Sequence, residues 1–373
     1  ITIEGPDRLD IQLREPDPLF PAYLGLGILP ADLIQSGHAF AVAPVGSGPL
    51  SLESWPQPGR LILKRRGDGQ VLELLTVKDP NVRVMKLLRG EIDLLQNDLP
   101  PELIGFLRGR DEVRVERAPG VNFSYLGFNL EDPVTGLPQV RQALAHAIDR
   151  EEILRYLLQG DGRLAVGLFP PEHWAASRDL ATPAYDPDRA RALLAAVGYG
   201  PERPLHLSYK TSSDPFRIRF ATVIQAQLAR VGIEARIQSY DWGTFFGDIK
   251  AGRFQLYGLT WVGIRTPDIF RYIFHSASMP PDGANRGRYH NSEVDRLIET
   301  ARGEPDLGRQ AELYQRIQAI LLEDLPYIPL WYEDQVFAAR RAIRGYHLAP
   351  DGNYDALVSI ESDGKTLPLP GVE

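Results

Sequence analysis

Leu205-His206-Leu207-Ser208-Tyr209-Lys210-Thr211-Ser212-Ser213-Asp214-Pro215-Phe216 is the stretch whose reading decides the fold class. Leu205–Tyr209 reads as a strand, and Phe216 opens a long helix that runs to Val231 and stops at Gly232. Ile233–Ser239 is then a second strand, 242–251 a helix, Phe254–Thr260 a third strand and Pro267–Phe274 a short helix. Strands alternating with helices in this order imply an α/β layer built on a central sheet.

Working outward, Pro138–Ile148 carries Val140, Leu144, Ala147 and Ile148 on one helical face. Asp149 caps the next helix, with Glu152 three residues on as in a capping box. Tyr185-Asp186-Pro187 opens another helix and Gly198 closes it. Helices at 292–302 and 306–323 follow, then a strand Tyr327–Tyr332 and a further one at 335–339. Toward the N-terminus, Asp79-Pro80 opens a helix that ends at Gly90, with Val82, Met85, Leu87 and Leu88 as its apolar side. Glu91–Leu95 is a short strand. Residues 113–117 and 121–130 read as two strands broken at Pro119-Gly120. Residues 1–75 are rich in Gly and Pro and predict strands and loops with few helices. Ile1, Ile3, Leu9, Ile11 and Leu13 alternate with polar residues around Gly5-Pro6-Asp7, the pattern of a hairpin. A chain that starts inside a hairpin is expected to be a processed or truncated piece. The tail after residue 361 is expected to be loose.

Composition narrows the function. The 373 residues are enough for two hydrophobic cores. Lys and Arg number 41 against 49 Asp and Glu, a net charge of −8 that disfavours nucleic-acid binding. Only six of the basic residues are Lys, a bias read first as that of a GC-rich genome. Cys is absent, which excludes disulfides, thiolate metal sites and cysteine nucleophiles. No apolar run approaches the roughly 20 residues of a membrane span. The chain has no P-loop, no dinucleotide glycine fingerprint and no nucleophile elbow, and its seven His form no metal-ligand spacing. Ser47, between Gly46 and Gly48, reads as part of a tight turn. The acidic pairs Glu151/Glu152 and Glu323/Asp324 read as helix faces or caps. Asn122-Phe123-Ser124 matches a glycosylation sequon by chance. No cofactor is expected.

Loops carry function more often than cores do, and three stand out. Tyr209, Lys210 and Thr211 lead out of one strand. Trp261, Gly263, Ile264, Arg265 and Asp268 lead out of another, with Trp261 ending that strand. Asn285 and Arg286 lie in a third loop, 280–289. Ligands of open α/β sheets bind outside the carboxyl ends of the strands, where the first two loops stand. For Asp268 a helix cap and a ligand contact are equally good readings.

These stretches, in this order, resemble the family 5 extracellular solute-binding proteins, which include the dipeptide-, oligopeptide- and nickel-binding components of ABC importers. Ala43-Pro44-Val45-Gly46-Ser47-Gly48-Pro49-Leu50 with Trp55 is similar to the family's P-V-G-T-G-P-Y segment. Leu87-Leu88-Arg89-Gly90-Glu91-Ile92-Asp93 is similar to its L-x-x-G-E-I-D. Leu126-Gly127-Phe128-Asn129 followed by Val140-Arg141-Gln142-Ala143-Leu144-Ala145-His146-Ala147-Ile148-Asp149-Arg150 matches its most specific signature. Arg288 through Asp295 to Tyr314, and then Pro326-Tyr327-Ile328-Pro329-Leu330-Trp331, complete the pattern over essentially the whole chain.

The resemblance implies an α/β, two-lobed periplasmic-binding-protein fold of the class II type. A hinge would let the lobes close on a ligand. The first lobe would comprise 1–121 and 336–373 and the second 122–335. Family members carry a long further N-terminal stretch, so the first lobe is expected to be incomplete and the signal peptide absent from this chain. The implied function is periplasmic: a monomer that binds a peptide or peptide-like small solute and delivers it to an ABC permease, with no catalysis and no nucleic acid. A ligand-sensing domain of a regulator on the same fold and, behind it, a peptide hydrolase using an acid such as Asp268 are the alternatives. Peptide-binding members place an aspartate three residues after the strand-ending tryptophan, where it meets the ligand's amine. Here that position is Ile264, Arg265 follows, and Lys210 stands at about the place of a base that meets the ligand's carboxylate. Lys210 and Arg265 with no acid at 264 suit an anionic group. Changing either to Ala is then expected to weaken binding.

Overall fold

A computed structural model of the protein describes residues 1–14 and 16–362. The chain folds as two compact units: a larger one of residues 1–22 and 121–333, and a smaller one of 23–120 and 334 onward. Residues 1–22 thus group with the residues after 121, whereas the family pattern puts them in the first lobe. The tail expected to be loose lies, beyond residue 362, outside the described residues.

The N-terminal hairpin has two residues per strand, β1 (Thr2–Ile3) against β2 (Leu9–Asp10). Two short helices follow, α1 (Phe20–Tyr23) and α2 (Ala31–Gln35). In the smaller unit β3 (Leu50–Gln57), β4 (Arg60–Arg65) and β5 (Val71–Leu75) form an antiparallel three-stranded sheet. Helix α3 (Pro80–Arg89) begins where the Asp79 carboxylate accepts from the N–H groups of Asn81 and Val82, and ends at Gly90 with φ 72°. Its buried residues are Val84 and Leu87, while Val82 and Met85 are exposed. The face turned inward is the one that meets Leu95, Leu107, Val113 and Ala338, contributed by β6 (Leu94–Gln96), α4 (Pro101–Arg108) and two longer strands.

The first of these is β7 (Val113–Phe128), a single strand and not the expected two. The φ of proline lies within the extended range, so Pro119-Gly120 does not turn the chain. β7 carries the chain into the larger unit. There α5 (Pro138–Ala147), α6 (Arg150–Tyr156), β8 (Gly162–Leu164) and α7 (Pro187–Ala196) precede the alternating segment read from the sequence. That segment is β9 (Leu205–Ser212), α8 (Pro215–Ala229), β10 (Ile233–Tyr240), α9 (Trp242–Lys250), β11 (Leu256–Trp261) and α10 (Ile269–Phe274). Helices α11 (Ser292–Gly303) and α12 (Leu307–Asp324) lead to β12 (Tyr327–Arg340). β12 is likewise one strand where two were expected, and it returns the chain to the smaller unit. Short strands β13 (Ile343–Arg344) and β14 (Glu361–Ser362) pair there.

Strand order in the larger unit is β10-β9-β11-β7-β12, with β8 on β12. β9 and β10 are parallel in full register, Leu205 opposite Ile233 through Ser212 opposite Tyr240, and β11 is parallel to β9. Their carboxyl ends therefore share one edge. β11 and β7 are antiparallel, so the sheet is mixed. Alternate residues point to opposite faces. One face holds a core with Leu126, Phe128, Leu207, Tyr209 and Leu256 under α5 and α8; the other holds Phe123, Tyr125, Tyr257 and Tyr327 with α9 to α12.

The signature segment proves to be a packing device. Asp149 caps α6 by accepting from the Glu152 N–H at 2.8 Å. The other half of the expected capping box is missing: the Asp149 N–H goes to Gln227 Oε1 at 3.0 Å, and Glu152 accepts from Gln227 Nε2 at 2.9 Å. Arg150 is buried and donates to the carbonyls of Pro329 and Pro183 and to the Thr182 hydroxyl.

Candidate functional site

The period of β9 divides its two candidate residues. Tyr209 faces the core under α8 and is fully buried. Lys210 faces the other way, where its Nζ lies 2.5 Å from Asp248 Oδ2 and 5.4 Å from the centre of the Tyr240 ring. Asp248 also accepts from Arg253, with Nε at 2.8 Å and Nη2 at 2.6 Å. Hydrogen bonds from Lys210 and then Arg253 hold its carboxyl below the usual aspartate range. Lys210 therefore enters the site with its charge already met. Thr211 is buried beside it.

Trp261, the last residue of β11, belongs to an aromatic stack that sequence reading left unseen. Its ring lies parallel to Tyr125, centroids 6.5 Å apart, and Tyr125 in turn stacks on Tyr327 at 4.0 Å. On its other contacts Trp261 meets the edge of Tyr272 at 6.4 Å and the guanidinium of Arg286 at 4.7 Å. The same guanidinium lies 5.0 Å from the ring centre of Phe246, and Phe246 stacks on Trp242 at 5.4 Å. Trp242 and Phe246 stand four apart on α9, a spacing that puts two side chains on one helix face. That spacing is the signal that could have added them to Trp261 and Arg286. Trp242 and Tyr272 are exposed, whereas Arg286 is only 9% exposed.

Arg286 is held by its own loop. The Asn285 side chain, fully buried, donates to the carbonyls of His275 and Tyr289 and accepts from the Tyr289 N–H at 2.9 Å. Asn285 is thus spent on closing the turn that aims Arg286. Gly263, at φ 69°, turns the chain after Trp261 and gives its N–H to Asn122 Oδ1 at 3.4 Å. Ile264 is buried in the second core. The carbonyl of Arg265 accepts from His173 Nε2 at 3.1 Å. Asp268 precedes α10 without a side-chain cap bond and pairs with Arg302 at 3.6 Å. Of the predicted residues the fold brings Trp261 and Arg286 into contact, puts Lys210 in a separate ion pair, and turns Tyr209, Asn285 and Ile264 into the packing.

On the opposite face of the strands Ser124 Oγ donates to Glu333 at 2.6 Å, Thr260 Oγ1 does so at 3.1 Å, and Arg217 lies 3.5 Å from the same oxygen. This cluster pairs a serine with a carboxylate but has no imidazole between them, so it lacks the base of a serine nucleophile. Among the described residues no group of His, Asp or Glu has the arrangement of a metal site, and no helix is long and apolar enough to cross a membrane.

A sequence profile described as "Bacterial extracellular solute-binding proteins, family 5 Middle" matches residues 1–280. The dipeptide-binding protein of Escherichia coli (strain K12) is 28% identical over 331 residues, covering 85% of this chain and 62% of that protein. The chain thus spans about three-fifths of that relative's length. Among solved structures, the periplasmic binding protein DppA from Helicobacter pylori in complex with peptide STSA superposes with a TM-score of 0.79 at 25% identity, covering 94% of this chain and 71% of that one. NikZ from Campylobacter jejuni in complex with Ni(L-His) shares the fold with a TM-score of 0.84 at 24% identity, covering 97% and 78%.

Proposed function

The chain belongs to the family 5 bacterial extracellular solute-binding proteins, and from that premise we propose that it is the solute-binding component of an ABC importer, taking a peptide or peptide-like small solute. Family members are binding proteins of transporters and not enzymes. In this reading the protein works in the periplasm as a monomer and hands its solute to an inner-membrane permease.

The observation that carries the reading is the aromatic shelf at the carboxyl ends of the parallel strands. Trp261 ends β11, exposed Trp242 opens α9 right after β10, and Tyr272 stands edge-on to Trp261. Flat apolar surfaces with one cation between them, at the sheet edge where α/β proteins take ligands, suit a small organic solute. The neutral alternatives lose ground on the same page: PLACEHOLDER

The test is binding of a di- and tripeptide array to the purified chain, followed by tryptophan fluorescence and calorimetry. Saturable binding with the peptide recovered chemically unchanged is expected. Turnover of the peptide would end the binding-protein reading. A co-purified solute of non-peptide formula, with no peptide bound, would end the peptide part of it.

A further inference from the structure

We propose that Arg286 anchors a carboxylate of the solute, and that the solute is held without a free amine: an N-acylated amino acid or peptide, or a carboxylate of similar shape. This deepens the solute-binding reading above and rests on it.

The argument is an inventory of donors and acceptors. A guanidinium offers five N–H donors and no acceptor, and it stays charged. Arg286 is nine-tenths buried, and among the described residues it forms no ion pair with a carboxylate. The rings of Phe246 and Trp261 offset part of its charge. They accept none of its hydrogen bonds. Its surroundings are rich in donors as well. The hydroxyls of Tyr125 and Tyr257 and the Nε1 of Trp261 are buried and lack hydrogen-bond partners. Tyr125 lies 5.8 Å from Tyr257 and 6.5 Å from Trp261, centroid to centroid, and Trp261 carries Arg286 on its ring. A buried cation beside three unused donors lacks one thing, an anionic acceptor.

The acids argue against an amine. Asp248 is occupied by Lys210 and Arg253. Glu333 is occupied by Ser124, Thr260 and Arg217, and these strand residues alternate with Tyr125 and Trp261, so that carboxylate lies on the other face. Asp268 is paired with Arg302. No acid of the site is left for an ammonium group. Exposed Trp242 and Tyr272 offer flat faces to an acyl or aromatic portion.

The experiment is calorimetry on the full chain with three probes: N-acetyl-Ala-Phe, Ala-Phe, and N-acetyl-Ala-Phe amide. N-acetyl-Ala-Phe is expected to bind at least as tightly as Ala-Phe, and the amide about tenfold or more weaker. Arg286→Met is expected to weaken the acid about thirtyfold and leave the amide unchanged, closing the gap between them. Arg286→Lys, which keeps the charge and loses the fork, should fall between and guards against a variant that misfolds. An amide that binds as well as the acid overturns the anchor, as does an equal loss for both probes. Acetylation that abolishes binding overturns the claim about the amine. If no probe binds, solute released from the native protein decides. A mass gain on methyl esterification without one on acetylation supports the proposal, and the reverse overturns it. A chain that holds no solute and takes no probe ends the solute-binding reading and this proposal together.

Discussion

Arg141 grips the carbonyl of Asp324 through two donors, Nε at 2.9 Å and Nη2 at 2.7 Å, and so ties α5 to the last turn of α12. Its Nη1 reaches the carbonyls of Thr135 at 3.0 Å and Gly136 at 2.8 Å. The Asp324 carboxylate meanwhile accepts from the Tyr289 hydroxyl and from Asn291 Nδ2. The most specific family motif in the chain thus anchors helix ends and leaves ligand contact to other residues.

Arg141→Met should therefore be a stability variant. It strands three buried carbonyls, at a cost of about 3 kcal/mol. The urea midpoint should fall accordingly, while solute affinity of the folded fraction stays within about twofold. A loss of affinity without a loss of stability would reassign Arg141 to the site.

The pair of Lys210 and Asp248 should behave the same way. Lys210→Ala leaves Asp248 with Arg253 and is expected to cost about 2 kcal/mol, with affinity changed less than about threefold. The pH dependence has a definite sign. The Asp248 carboxyl is lowered in the folded state, so its contribution is present above the ordinary aspartate value of 3.8 and is lost as pH falls through the folded value. Urea titrations across that acid limb should show a flatter loss in Asp248→Asn than in the parent.

His173 supplies a second pH-dependent element. Its Nδ1 accepts from the Ala175 N–H at 3.2 Å, its Nε2 faces the Arg265 carbonyl, and its ring stacks on Phe169 at 3.9 Å. Burial lowers its affinity for a proton, partly offset by the Arg265 carbonyl. The unfolded chain takes up the proton first, so stability should fall as pH drops below the ordinary imidazole value of 6.5. Urea midpoints at about pH 7.5 and 5.5 should differ less in His173→Gln than in the parent.

Gly258 on β11 and Tyr209 on β9 form a coupled pair. A methyl group at Gly258 would lie 2.9 Å from the Tyr209 hydroxyl. Gly258→Ala should cost about 1–3 kcal/mol through overpacking. Tyr209→Phe removes the obstructing oxygen, so the double variant should recover part of that loss in a thermal-melt cycle. Strict additivity would show that the ring itself, or the backbone, is the obstacle.

Local chemistry was legible. Asp79-Pro80 and Gly90 bound α3 as read, and the strand-helix alternation from 205 to 274 stands at β9 to α10. Such features depend on residues within a turn or two of each other. What failed depended on distant neighbours. The buried side of α3 is chosen by Leu95, Leu107 and Val113, and the continuity of β7 and β12 comes from lying side by side in one sheet.

The site divides along the same line. Sequence by itself determined that Trp261 ends a strand, that Arg286 sits in a loop, and that the chain carries the family's motifs. Only the tertiary structure decided which charges are spent. Lys210 finds Asp248, 38 positions along the chain, because strand alternation turns its side chain toward α9. Arg286 finds two aromatic rings and no acid because α9 and β11 meet at its loop. Ion pairing is short-ranged and set by packing, so no spacing in the sequence reports whether a cation already has its partner.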